Sequence, residues 1–302
     1  MKPELQAVFQ QDVTAVDKYI HNNEYVFASD DEENCIVDAE FYSLMAGGKR
    51  IRPVLCIEFY KLFGGKGDIK GDITEIATCL ELMHTFSLIH DDMPEMDNDD
   101  MRRGKPSVHC AYGTDTALLA GDGLAILPFE IISDKALKGD ISADVATRLT
   151  NCLSKAAGNL GMIMGQRLDL ISEGKKVNLS YLKRMSSLKT GCILSASAQF
   201  GAILAGAGED NIKKAAQYAE NIGLAFQIID DILDITGSEA ELGKPIGSDE
   251  KRSKDTYATI MGIDSAYKEA KRYTEIAVSA ISNIPGSEFL CELAHDLLDR
   301  KH

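Results

Sequence analysis

The chain has 302 residues, 45% hydrophobic and 26% charged, an ordinary composition for a globular protein with one large core or two smaller ones. Acidic side chains outnumber basic ones, 47 against 32, and the net charge of −15 repels phosphate backbones and anionic lipid. That balance excludes nucleic acid and anionic membrane surfaces as expected partners.

Helical periodicity runs the length of the chain. It predicts helices near 3–22, 36–63, 72–93, 108–136, 141–172, 178–206, 209–235, 263–282 and 286–300, rich in Ala, Leu, Ile, Met, Glu and Lys, with no convincing strand alternation. The first residues, Met1-Lys2-Pro3-Glu4-Leu5, lack the apolar core of a secretory leader, and no run reaches the ~18 uninterrupted apolar residues of a membrane span. The seven cysteines are odd in number and form no CxxC pair, so they read as reduced residues of a cytoplasmic protein with no stable membrane insertion. Two polar stretches interrupt the helices, Asp97–Ser107 and Gly237–Asp255, the second a candidate lid. Apolar helices continue on both sides of each, so residues 1–302 are expected to form a single domain.

Two acidic motifs stand out. Asp91-Asp92-Met93-Pro94-Glu95-Met96-Asp97 follows the apolar run Thr85–Ile89, and Asp230-Asp231-Ile232-Leu233-Asp234 follows Ala225–Ile229. Carboxylates crowded this closely call for a cation, and Mg²⁺ is the hard ion that shares oxygen ligands with substrate phosphates. Asp230 and Asp234, four apart, share a helix face, whereas Asp231 is turned about 100° away and orients the others or joins through water. Asp91 and Asp97 do not align on a straight helix. Pro94 disfavours continuous helix before it, so the chain is expected to turn and carry Asp97 back toward Asp91.

Cations accompany the acids. Gly47-Gly48-Lys49-Arg50-Ile51-Arg52-Pro53 places three of them just after two glycines that permit close phosphate approach, and Arg102-Arg103 follows the first motif. His84 lies two turns before Asp91, and Gln227 one turn before Asp230, each on the same face as the aspartate.

On these residues the chain resembles the trans-isoprenyl diphosphate synthases. The likeness spans nearly its whole length through GGKRIRP at 47–53, HTFSLIHDDMPEMDNDDMRRGKPSVH at 84–109, LLAGDGL at 118–124, GQRLDL at 165–170, KTG at 189–191 and FQIIDDILD at 226–234. The resemblance implies an all-α fold, a bundle of long helices around a deep central cavity with the acidic motifs at its mouth, assembled as a homodimer. It implies three Mg²⁺ ions, held by Asp91 and Asp97 with Asp92 in support, and by Asp230 with Asp231 and Asp234. Arg102, Lys189, Lys244 and the lid residue Lys254 would bind the allylic diphosphate. Lys49, Arg52, His84 and Arg103 would bind isopentenyl diphosphate, and Thr190 and Gln227 would face the carbocation. The lid departs from the family, reading Ser253-Lys254 where Gly-Lys is usual.

The implied activity is condensation of isopentenyl diphosphate with dimethylallyl or geranyl diphosphate. Phe86 lies five residues before Asp91, roughly 7.5 Å deeper along a helix, and the resemblance implies that a large aromatic residue at this place is the floor of the tail cavity. A floor there implies farnesyl diphosphate as product. Geranylgeranyl diphosphate is the alternative, and a non-catalytic partner subunit of a heteromeric synthase a more distant one.

Overall fold

The computed structural model describes residues 1–22, 31–65, 72–237 and 254–300. Among them the architecture is all-α, as expected, apart from one two-residue hairpin. The chain divides into two compact units, one formed by Phe9–Ile57 and Gly67–Thr150, the other by Met1–Val8, Glu58–Lys66 and Asn151–His302.

In the first of these, α2 (Asp31–Leu44) and α6 (Thr114–Lys138) pack on α4 (Asp72–Asp91). Helix α4 is apolar on all sides, with Ile73, Ile76, Leu80, Leu82, Met83 and Ile89 buried, which makes it the central helix of its unit. Its apolar length delivers Asp91 to its C-terminal end. Helix α6 has the length and mean hydropathy, 1.4, of a membrane span, which a search for uninterrupted apolar runs does not register; it buries Ala117, Ala120, Leu124 and Ile132 within the protein. Helix α1 (Pro3–Asn22) contributes Val16 and Ile20.

The single helix expected over 36–63 is two, α2 and α3 (Ile51–Leu62), because Gly47, Gly48 and Arg50 all take positive φ. Gly48 suits that position: its φ of 143° is one that side chains rarely adopt, and a Cβ would meet the Arg103 guanidinium at 2.8 Å. The helix expected over 108–136 divides at Gly113 into α5 (Val108–Tyr112) and α6, and that over 141–172 divides into α7 (Ala143–Ala157) and α8 (Met162–Ser172).

The polar stretch after the first acidic motif is a hairpin. Strand β1 (Met101–Arg102) pairs antiparallel with β2 (Lys105–Pro106), and the two residues between them, Arg103 and Gly104, have φ of 53° and 75°. Positive φ at both positions is the type I′ turn that matches strand twist. It sends adjacent arginines to different partners.

In the other unit, α9 (Leu179–Ser186) runs through a π-helical segment, Ser187–Gly191, into the deeply buried α10 (Cys192–Leu204). Helix α11 (Glu209–Thr236) starts with Glu209 and Asp210, which suit the positive end of a helix dipole, and packs along α10 and α13 (Ile263–Ile281). Between α11 and α13 lies α12 (Tyr257–Met261), absent from the expected helices and started by a Thr256–Thr259 capping box. Helix α14 (Glu288–Leu298) completes the unit, and the Tyr218 hydroxyl donates to the Leu290 carbonyl at 2.7 Å.

Candidate active site

The first acidic motif begins as α4 ends. The Asp97 amide donates to the Asp91 carbonyl at 2.8 Å and the Asp99 amide to that of Asp92 at 3.1 Å, so the chain turns back at Pro94 as its sequence predicts. Asp92 is buried, and both its oxygens accept from Arg102: Nε lies 3.1 and 3.0 Å from them, and Nη2 also donates. Burial pushes the Asp92 carboxyl up, against the pull of Arg102. This fork brings Arg102, expected on a diphosphate, onto Asp92, a member of the acidic motif.

A cationic cluster lies in the same unit. Arg50 is spent on structure, donating to Glu81 at 2.7 Å, Asp17 at 2.9 Å and the Leu44 carbonyl at 2.6 Å. Arg52 is different. Its Nε is buried without a hydrogen-bond partner. Burial lowers its pKa to about 10, the charge of Arg103 adds to that, and Glu81 opposes it. Arg103 donates to the Gly47 carbonyl and is also lowered, chiefly by burial.

His84 registers the field of this cluster. Burial first, then the charges of Arg52, Arg103 and Arg102, push it well below the ordinary histidine value, so its imidazole is neutral. Cations held this close together form a site for an anion. Lys49 adjoins the cluster in sequence and makes contacts of its own. Phe86 stacks edge-on against His90, ring centres 5.0 Å apart, and His90 Nε2 lies 3.0 Å from the Leu118 carbonyl on α6. Phe86 is therefore pinned where α4 meets α6.

The second acidic motif belongs to the other unit, on α11. Gly223 brings that helix so close to the π-helical segment that a Cβ would lie 3.0 Å from the Gly191 Cα. One turn further, Gln227 meets Thr190, whose hydroxyl donates to Oε1 at 3.3 Å. Gln227 Nε2 donates to Asp231 Oδ1 at 3.0 Å, and Asp231 Oδ2 accepts from the Tyr257 amide at 2.9 Å. Both oxygens of Asp231 are thus engaged within the protein. Asp234 is buried, and Asp230 is paired with Arg300.

Sequence reasoning missed the residue that organises the lysines. Asp169, buried on α8, accepts from Lys189 Nζ at 2.6 Å and from Lys254 Nζ at 2.9 Å. Burial alone would raise its carboxyl; the two ammonium groups override that and hold it below the usual range. Asp169 stands inside the GQRLDL segment, where an acid following a helical glycine was the available signal. Gly165 allows the approach, since a Cβ there would come within 2.2 Å of the Lys189 amide. The lysine itself projects from a π-helical turn, a distortion frequent at functional sites. Lys244 lies outside the described residues, as does most of the candidate lid.

A sequence profile for polyprenyl synthetases matches residues 33–283. The chain belongs to the polyprenyl synthetase family. It is 44% identical over 247 residues to a geranylgeranyl diphosphate synthase of Cyanophora paradoxa, covering 82% of this chain and 81% of that one. It is 42% identical over 256 residues to a farnesyl diphosphate synthase of Geobacillus stearothermophilus, covering 83% and 85%. Among solved structures, an FPP/GFPP synthase from Zymomonas mobilis aligns with a TM-score of 0.85 at 32% identity, over 99% of this chain and all of that one. A Helicobacter pylori geranyltransferase complexed with magnesium and isoprenyl diphosphate aligns with a TM-score of 0.85 at 29% identity, over 99% and 97%. This polyprenyl synthetase carries the hard oxygen donors that Mg²⁺ requires: its two motifs offer seven carboxylates, with no cysteine or histidine among them.

Proposed function

We propose that the protein is a short-chain trans-prenyltransferase that condenses isopentenyl diphosphate with dimethylallyl and geranyl diphosphates to give farnesyl diphosphate. The observation that carries the reading is the pairing, within one unit, of a folded acidic motif with a cationic cluster in which the buried Arg52 Nε has no hydrogen-bond partner. Acids alone would serve any cation, and arginines alone any anion. Together they fit two diphosphates, one bound through metal and one without it.

In this reading Asp91 and Asp97 would ligate Mg²⁺ at the end of α4, with Asp92 orienting them through Arg102, and Asp230 and Asp234 would be Mg²⁺ ligands of α11. Three ions per site are proposed. Bound Mg²⁺ would neutralise the allylic diphosphate as it leaves. Lys189 and Lys254, presented together by Asp169, bind that leaving group, and Arg102 and Lys244 add to its neutralisation. Lys49, Arg52, His84 and Arg103 hold isopentenyl diphosphate, so that its double bond lies close to the allylic carbon. Thr190 and Gln227, tied to Asp231, turn oxygen toward the positive charge that develops there.

The proton lost at the end is proposed to go to an oxygen of the departing diphosphate. The chain is proposed to act as one functional domain, which the profile match over 33–283 supports. A cytoplasmic homodimer is proposed too, with Leu118, Leu119 and Ile126 an exposed apolar row on α6 for a second copy to cover.

The reading is tested by Asp91→Ala and Asp230→Ala. Each should abolish condensation while the helical circular dichroism is kept, and full activity in either would overturn the ligand assignment. Geranylgeranyl diphosphate as the product is favoured by the names of five relatives and by no feature of the site.

A further inference from the structure

Arg300 follows α14, and no motif nominates it. Its side chain is 10% exposed, against 38% for Asp230, with which it pairs through Nη2. The same nitrogen donates to the Phe226 carbonyl at 2.9 Å, and the guanidinium carbon lies 3.7 Å from the centre of the Phe226 ring. Phe226 precedes Asp230 by one turn of α11, so ring, carbonyl and carboxylate lie along one stripe of that helix.

Two features separate this arrangement from a simple tether of the chain terminus. The stacking and the carbonyl bond hold the guanidinium without help from Asp230, so it stays anchored when that carboxylate is otherwise engaged. Further, Nε is buried with no hydrogen-bond partner. Nε and Nη2 form the edge of a guanidinium that grips a carboxylate or phosphate with two parallel bonds, and here half of that fork is open. A buried donor left open is costly unless a ligand completes it.

We infer that Arg300 is a positioning residue of the second acidic motif: it neutralises Asp230 in the empty protein and closes its Nε–Nη2 fork on the diphosphate bound there. The inference rests on the proposed diphosphate site. It adds a protein cation to the leaving group's surroundings that does not depend on the lid.

The test is calorimetric titration of the full chain with inorganic pyrophosphate in Mg²⁺, for the wild type, Arg300→Ala and Arg300→Lys, with allylic and isopentenyl kinetics run in parallel. Arg300→Ala should bind pyrophosphate about tenfold more weakly, the scale of one lost charge-assisted hydrogen bond. Arg300→Lys, which keeps the charge and loses the fork, should fall between. The KM for the allylic diphosphate should rise in the same order while that for isopentenyl diphosphate stays put, a split that a merely structural tether would not produce. If the alanine variant fails to fold, the lysine variant alone decides. Wild-type binding with unchanged affinity in the folded variants would overturn the role of Arg300. No Mg²⁺-dependent pyrophosphate binding by the wild type would overturn the diphosphate site itself.

Discussion

Replacing Asp169 by Asn isolates the charge that gathers two lysines. The wild-type carboxylate is 9% exposed and accepts at 2.6 Å from Lys189 and 2.9 Å from Lys254. Removing one member of a buried ion pair costs about 3–5 kcal/mol, and the amide oxygen of Asn keeps one acceptor, so about 3 kcal/mol is expected. The same substitution should flatten the acid limb of stability. Asp169 titrates below its ordinary value in the folded chain. Its contribution is therefore complete above about pH 4, the unfolded carboxyl's pKa, and is lost as pH falls through the lower folded value.

Urea unfolding of wild type and Asp169→Asn at pH 7 and across the acid range measures both effects. The gap between the two proteins should be widest near neutrality and close as the wild type is protonated. An equal urea midpoint at pH 7, or a gap that does not narrow in acid, would refute the reasoning.

Other predictions concern single contacts. Phe86→Ala should lengthen the product, because Leu82 and Thr78, one and two turns further along α4, line an apolar crevice with Ile20, Phe41 and Leu124; chain-length analysis that finds the product unchanged would reject the floor. Gly48→Ala should displace Arg103 and raise the KM for isopentenyl diphosphate more than that for the allylic substrate, which steady-state kinetics separates. Burial raises Glu40 to about 7, so the folded protein binds its proton more tightly than the unfolded chain and loses stability as pH climbs from about 4.5 to 7. Glu40→Gln should therefore be more stable at pH 8, by about 1–2 kcal/mol after allowing for the solvent that still reaches the group, with no gain at pH 4.

The fold and much of the site were legible in the chain because their causes are local. Pro94 announces the turn that carries Asp97 back to Asp91, and helical phase sets Gln227 beside the second motif, although the aspartate it bonds is Asp231 and not Asp230, the residue its spacing singled out. What escaped depends on partners distant in sequence or on distortions that composition does not mark. The segment 178–206 is expected as one helix, and the π-helical turn at Lys189 within it is packed against Gly165 and Gly223, neighbours that the local sequence does not name. The hairpin at 101–106 has too few residues to show alternation, and only its Arg-Gly turn could have signalled it. Asp169 draws Lys254 from 85 residues away, and Arg300 reaches Asp230 across 70; neither pairing leaves a local trace.

The most direct test of the central claim is a product assay. Purified protein is supplied with Mg²⁺, isopentenyl diphosphate and dimethylallyl diphosphate, and the dephosphorylated alcohols are separated by chain length. The site described here predicts a dominant fifteen-carbon alcohol that disappears when Mg²⁺ is chelated. No elongation from verified substrates and metal, or elongation that survives chelation, would contradict it.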